Sequence, residues 1–467
     1  MNSQLTFQSM LPEHVLLLGI VLLLGIEIIG KWSRAALLVA VATVASAAGV
    51  AASMYFSGFS GAPFPGQFSV VPSTLLAKVV VLALALPVLL MSRDDFDGGE
   101  FPALLLSSLY GVCLMISADS FLIMFLGLEL MSLPVYALIL LAYRRPESAE
   151  AALKYLVLGG TATAMFLMGV SLLYGGMGTL AISSFGAALG ATDLMSRAAV
   201  VLVLLAFFLK AAIVPFHGWA PDAYEGASVT VTAYMATIVK AGVLLAIVRL
   251  FAAAPVVSPI ADVLAVFPLI SIVWGNLTAM RQPSFRRMIA YSSIAHAGYL
   301  FYALLGDGDG RFQAVLFYIL AYGTLNVLAF AALPASDNDA ERDRLDNLKG
   351  LWHRNPFAAS VIGIAMLSLA GIPPFPGFIA KFLIFKNVLA AGYTTYAVIG
   401  LVGSYLGIYF YLRVIQLMFM SPDVASETAS AYRDRPAGVF ARGASLLCLA
   451  AMVLLAVFPG WMLARMR

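Results

Sequence analysis

Five ionisable residues stand deep inside apolar runs: Glu129 in FLGLELMSLP, Lys210 in FFLKAAIVP, Lys240 in TIVKAGVLL, His296 in YSSIAHAGYL and Lys381 in GIPPFPGFIAKF. On translocon-based scales a charge at the membrane centre costs about 2.5–3.5 kcal/mol. A chain that carries several must pair them, hydrate them or let them titrate. Lysine suits proton transfer, because burial and cationic neighbours lower its pKa toward neutrality, while a carboxylate a few ångströms away holds it charged. Glu129 with Lys210 therefore reads as a switch: paired, the lysine keeps its proton; separated, the proton leaves. The bland alternative is a helix–helix ion pair. Lys154, in EAALKYLVLGG, lies near the start of its run, so it either joins the titratable set or snorkels to the membrane surface. His296, beside Ser292, Ser293 and Tyr299, reads as a relay or as a hydrogen-bonded packing residue.

These residues belong to a chain of 467 residues, 62% hydrophobic and 11% charged, with a mean hydropathy of +0.96. Soluble domains carry about 25% charged residues. Repeated apolar runs of roughly 20 residues define an all-α polytopic membrane protein of about 14 spans, each able to cross ~30 Å of hydrocarbon. The first run lacks a basic region before it and reads as a retained span. Basic residues such as Lys31, Arg93, Arg144 and Arg145 gather in loops on one side, in roughly threefold excess. The positive-inside rule puts that side in the cytoplasm and both termini outside. The longest polar segment, Ser336 to Asn355, is too short for a soluble domain. A net charge of +3 implies no nucleic-acid partner, and two distant cysteines, Cys113 and Cys448, offer no closely spaced ligand set for zinc or iron–sulfur. Any electrons run elsewhere.

Proline removes a backbone donor and clashes with the preceding turn, so Pro215, Gly218 and Pro221 should break the seventh span. Pro134 frees a carbonyl near Glu129 in the same way. Pro215-Phe216-His217-Gly218-Trp219 is echoed by Pro374-Phe375-Pro376-Gly377-Phe378 in the twelfth span. An odd number of spans separates the copies, which makes them antiparallel, as in an inverted-topology repeat. The expected division is a three-helix segment at 1–100, a first repeat at 101–252, a second at 253–420 and a last span at 421–467. In the bend after the first break, Asp222 and Glu225 read either as solvated or as an acidic mouth that gathers protons, and His217 as a helix-end residue.

FLGLELMSLPVYAL at 125–138, EAALKYLVLGG at 150–160, FFLKAAIVPFHGWAPDAYEG at 207–226, RRMIAYSSIAHAGYL at 286–300 and LSLAGIPPFPGFIAKFLIF at 367–385 together carry a resemblance. The chain resembles the subunit N family of the proton-pumping NADH:quinone oxidoreductase, respiratory complex I. That resemblance implies an antiporter-like fold with two inverted five-helix repeats and broken helices seven and twelve. It implies a pair formed by Glu129 and Lys210, a central Lys240, an outlet Lys381, and further axis positions at Lys154 and His296. Departures are Ser228-Val229-Thr230 in place of a Pro-Thr-Pro run, and Phe375, Pro376 and Ala380 around the second break.

The function so implied is proton translocation in the bacterial cytoplasmic membrane, coupled to electron transfer that occurs in other subunits. NADH, FMN, iron–sulfur clusters and quinone are expected there, with no cofactor in this chain. Partners are the other membrane-arm subunits and the lipid bilayer. Two other readings stay open at this level: a subunit of a multi-subunit cation/proton antiporter, and a purely structural bridge in the membrane arm.

Overall fold

A computed structural model of the chain describes residues 3–30, 33–96, 98–142, 146–252, 260–306, 308–335, 343–421 and 437–466. Lys31, Arg144, Arg145 and the first part of the Ser336–Asn355 segment lie outside the described residues. In chain order the main helices are α1 (Leu11–Ile29), α2 (Ser33–Phe56), α3 (Pro72–Asp95), α4 (Glu100–Ile116), α5 (Phe121–Leu140), α6 (Pro146–Met177), α7 (Leu194–Ala211), α8 (Trp219–Gly226) and α9 (Val229–Leu250). They continue as α10 (Ile260–Ala279), α11 (Phe285–Tyr302), α12 (Gly308–Ala331), α13 (Pro356–Ala370), α14 (Pro376–Ala390), α15 (Thr394–Phe419) and α16 (Val439–Val457). Among the described residues, 12 helices are long and apolar enough to cross a membrane, and α4 and α13 are shorter apolar helices. The expected order is followed, with α7 and α8 in place of the broken seventh span and α13 and α14 in place of the twelfth.

Burial sorts the helices radially. The most apolar window of α9 is 100% buried and that of α12 94%, against 28% for α1 and 33% for α16. Large apolar side chains such as Leu18, Leu153, Val402 and Leu446 lie exposed on the outer helices, as lipid-facing positions require. Of the helices that hold the deep lysines, α9 is the furthest from lipid, α7 is 61% buried, and α14 exposes Phe382 and Leu389. Close backbone approach helps to build the wall around Glu129. A Cβ on Gly111 of α4 would stand 2.4 Å from the Met131 nitrogen of α5, so only glycine lets these helices touch there.

Both breaks have the same local design. α7 ends on Ala212, a non-glycine residue in the left-handed region (φ 62°), and α13 ends on Gly371 (φ 84°). Each loop then carries its proline pair or single proline before the second half-helix starts. The carbonyls released by a broken helix need partners, since lipid offers none. In the first break the Trp219 indole donates to the Leu209 carbonyl (2.8 Å), and the Ser271 hydroxyl accepts from the Val214 amide (2.9 Å). In the second, the Ala370 carbonyl accepts from Lys381 Nζ (3.1 Å), and Ser368 Oγ accepts from the Gly377 amide (3.2 Å).

The two ends of the bundle differ. At one end Tyr55 Oη donates to the Arg465 carbonyl (2.5 Å), and a short antiparallel hairpin, Gly61–Phe64 with Phe68–Val70, lies against Ser9. Ser9 and Arg465, near the two ends of the sequence, thus lie on the same face. At the opposite end Asp343 anchors the polar loop to α11. Its carboxylate accepts from Arg286 Nε and Nη2 (3.0 Å each), the Arg286 amide (2.9 Å) and Ser284 Oγ (2.9 Å). Burial alone would push this carboxyl up; the Arg286 charge and these donors outweigh it and hold Asp343 below the usual carboxylate range.

Candidate functional site

The first break delivers Lys210, on the last turn of α7, to the middle of the bundle. Its Nζ lies 4.0 Å from Glu129 Oε1 on α5 and donates to Ser132 Oγ (3.1 Å). Glu129 is fixed from the other side by Thr163 of α6, whose hydroxyl donates to Oε1 at 2.5 Å. The carboxylate is therefore better bonded to threonine than to lysine, and the pair sits at the limit of ion-pair contact. A void of about 10 Å³ borders Lys210, Thr163 and Leu128, close to the room that one water needs.

Lys240 lies in α9 directly after a π-helical turn, Met235–Val239. Such turns shift the side-chain register and recur at functional sites. Its Nζ donates to the Ser293 carbonyl (2.7 Å) and also bonds the Ser293 hydroxyl, both on α11. Tyr224 of α8 reaches the same hydroxyl at 3.4 Å. One turn further along α11, His296 is held at both ring nitrogens. Nδ1 meets Tyr318 Oη of α12 (2.7 Å) and Nε2 meets Tyr411 Oη of α15 (3.1 Å). Tyr411 also meets Ser292 Oγ (2.5 Å), and Tyr322 stacks on the imidazole with ring centroids 4.4 Å apart. Held at both nitrogens, the imidazole can take a proton on one and give one from the other.

Lys381 completes the set from the second half-helix of the other break. Besides the Ala370 carbonyl, its Nζ lies 5.3 Å from the Tyr299 ring centroid. Tyr299 Oη in turn accepts from Asn276 (3.2 Å). Glu129 with Lys210, Lys240 with Ser293, His296 with its tyrosines and Lys381 with Tyr299 thus occupy successive positions across the bundle. Among the described residues no hydrogen bond joins Lys210 to Lys240.

Lys154 stands apart from this buried set. Its side chain is 42% exposed and meets Glu150 Oε1 (2.6 Å) and Asp222 Oδ2 (2.7 Å). Arg287 Nη1 meets Asp222 Oδ1 (2.9 Å) and Glu225 Oε2 (2.8 Å). The acidic bend is thus an ion-pair network at the end opposite the termini, neither free carboxylates nor bare solvent. His217 lies in the first break, where its Nε2 accepts from the Trp274 indole (3.1 Å).

Sequence reasoning named Ser293 only as a neighbour of His296, not as the partner of Lys240, and it passed over Tyr318 and Tyr411, which give no signal beyond a hydroxyl in an apolar run. It also passed over Glu13 and Lys78, a completely buried pair at 2.6 Å between α1 and α3. Lys78 did carry a signal, a lysine inside TLLAKVVVLALALP.

Three comparisons set this arrangement among known proteins. The family described as NADH:quinone oxidoreductase/Mrp antiporter, TM, matches residues 118–407. The NADH-quinone oxidoreductase subunit N of Pelobacter propionicus is 38% identical over 451 residues, covering 97% of this chain and 96% of that protein. A chain of respiratory complex I from Thermus thermophilus, solved with bound aureothin, superposes with a TM-score of 0.85 at 33% identity, over 97% of this chain and 98% of that one. A chain of the Mrp complex from Dietzia sp. superposes with a TM-score of 0.86 at 23% identity, over 99% and 96%. At that identity the Mrp likeness speaks for the fold alone.

Proposed function

This chain belongs to the NADH-quinone oxidoreductase subunit N family, and from that premise we propose how its buried groups move protons. It is an antiporter-like, proton-pumping, multi-pass membrane subunit, part of an NADH:quinone oxidoreductase whose other subunits are its partners. The observation that carries the proposal is the Glu129–Lys210 contact, at 4.0 Å and set where α7 breaks. An ion pair at the limit of contact, with its acid already held by Thr163, needs little movement to open.

In this reading a conformational or electrostatic change in a neighbouring subunit draws Glu129 away from Lys210. The proton on Lys210 then passes toward Lys240 through water admitted beside the pair. From Lys240 it moves by way of Ser293, His296, Tyr318 and Tyr411 to Lys381, and leaves on the face that bears the termini. Lys154, with Asp222, Glu225 and Arg287, guards the uptake side. The movement divides along 1–100, 101–252, 253–420 and 421–467, with the two central units acting as opposed halves. NADH, FMN, iron–sulfur clusters and quinone are handled by partner subunits, and this chain holds no redox site of its own. The membrane is the bacterial inner membrane, with both termini on the outer side; the excess of basic loops at the opposite end supports that orientation.

Lys381→Ala tests the outlet. In the purified, reconstituted complex it should lower the proton-to-electron ratio while native gels show normal assembly. A normal ratio in an assembled complex would remove Lys381 from the path. If transport instead depends on sodium, the cation/proton antiporter reading replaces this one.

A further inference from the structure

A switch that opens needs somewhere for its lysine to go. Along α5, Glu129, Ser132 and Tyr136 follow one another at spacings of three and four residues, so the three polar groups share one stripe of the helix. The first two meet Lys210 Nζ, at 4.0 and 3.1 Å. Tyr136 comes next on the stripe. It is 8% exposed, and its buried hydroxyl makes no hydrogen bond among the described residues. Leaving a buried hydroxyl unpaired is costly, so such a group calls for a partner in another arrangement of its neighbours.

Gly159 of α6 shows which partner is in reach. A Cβ built on it would stand 2.2 Å from Tyr136 Oη and 3.6 Å from Lys210 Nζ. Laid end to end, 2.2 and 3.6 Å bound the third side of that triangle, so Oη and Nζ lie within 5.8 Å of each other. A lysine ammonium on its flexible four-carbon stem covers such a distance by rotation about its outer bonds. Glycine at 159 also leaves the space that the phenol tip occupies; an alanine methyl would fill it.

The far side of Tyr136 leads toward Lys240. Its ring meets Tyr155 of α6 edge-on, with centroids 4.9 Å apart, and Tyr155 stacks on Trp219 at the start of α8, at 4.5 Å. Tyr155 lies within electrostatic reach of both Tyr136 and Tyr224. Tyr224, on α8, reaches Ser293 Oγ at 3.4 Å, and Ser293 is the residue that Lys240 bonds. A hydroxyl both accepts and donates, so each member of this row can pass a proton without keeping it.

We propose that Tyr136 is a positioning residue that receives the Lys210 ammonium when the Glu129 pair opens. Lys210 then donates to Tyr136 Oη in place of Glu129, which aims its proton at Tyr155, Tyr224 and Lys240. When the proton leaves, the N–H bond that breaks on Lys210 is matched by one that forms on Lys240, and the Lys210 amine is left neutral. Gly159 keeps the place for the hydroxyl. The assignment rests on the reading of Lys210 as a proton donor.

The test is a cycle of variants in the intact, reconstituted complex, read as NADH-driven proton pumping into vesicles, with native gels for assembly. Tyr136→Phe removes the hydroxyl and keeps the ring against Tyr155. Gly159→Ala keeps every titratable group but displaces the phenol tip. With Tyr136→Phe in place, the nearest ring atom is Cζ at 3.2 Å, so the double variant has little left to displace. Each single variant should assemble and pump about tenfold more slowly, the low end of what one hydrogen bond to a charged group carries. The double variant should be no worse than Tyr136→Phe alone. Wild-type pumping in either assembled single variant, or losses that multiply in the double variant, overturns the assignment. Failure of both single variants to assemble makes Tyr136 a packing residue and overturns it too. Lys210→Arg, measured beside them, separates the two claims: wild-type pumping there sinks the donor reading itself, whereas a defect there with normal pumping in Tyr136→Phe sinks only the role of the tyrosine.

Discussion

Replacing Glu129 with glutamine keeps the shape of the side chain and deletes its charge. The Thr163 hydroxyl still has an oxygen to donate to, so the local packing survives. What disappears is the attraction on Lys210. At the 4.0 Å separation in this structure and an effective dielectric of about 20, that attraction is ~4 kcal/mol. Glu129 is 25% exposed, which puts this figure at the upper end. Opening the pair to about 8 Å halves it, a change of ~2 kcal/mol or roughly thirtyfold in the proton equilibrium. That difference is the switch, and Glu129→Gln removes it. Glu129→Asp withdraws the carboxylate by about one methylene, so ~3 kcal/mol remains at roughly 5 Å and most of the switch is retained. The assay is NADH-driven proton uptake into vesicles that hold the reconstituted complex, with native gels to confirm assembly. The glutamine variant should assemble and lose most coupled pumping, and the aspartate variant should keep most of it. Wild-type pumping with glutamine, or equal failure of the two assembled variants, would refute the reasoning.

Two other predictions concern what holds the path in place. A Cβ on Gly377 would lie 1.8 Å from the Ser368 carbonyl oxygen, so Gly377→Ala must push α14 off α13. At the about 1–3 kcal/mol or more of an overpacked contact, less assembled complex should appear on native gels. Asp343→Asn leaves Arg286 buried without its carboxylate, a loss of about 3–5 kcal/mol, seen as a lower melting temperature of the complex. The sign of the pH effect follows from a carboxyl held low in the fold: the tie is fully present above the ordinary aspartate value of about 3.9 and is lost as pH falls through the lower folded value. Wild-type stability from this tie should therefore be flat between pH 5 and 8 and fall only in stronger acid, while the asparagine variant is weak already at neutral pH.

The breaks were legible because proline acts locally. Pro215 and Pro374 both fall in the loops between half-helices. Pro87, Pro134 and Pro268, however, stay inside α3, α5 and α10, so proline marks a candidate break that the neighbouring residues must complete. The deep charges were legible because a lysine in an apolar run is rare enough to notice. The hydroxyl partners were not, since Ser293, Tyr318 and Tyr411 become chemically distinct only when α9, α11, α12 and α15 meet around them. Lys154 shows the limit of counting depth along a run: its position allowed either reading, and only the packing of α8 on α6 brings Asp222 within 2.7 Å of it. Glu13 sits near the start of α1, where nothing in the sequence ties it to Lys78, yet the fold buries it fully against that residue. The hairpin around Pro65-Gly66 had a turn signal, but strands this short carry no periodicity to confirm it.

The central claim is that Lys210 gives up a proton and does more than neutralise Glu129. Lys210→Arg separates the two roles. Arginine keeps the positive charge and the ion pair but does not deprotonate in proteins. The measurement is the proton-to-electron ratio of the reconstituted complex that carries this variant, alongside its assembly on a native gel. An assembled complex with a reduced ratio is the predicted result. A wild-type ratio in the arginine variant would make the pair a structural contact and contradict the account.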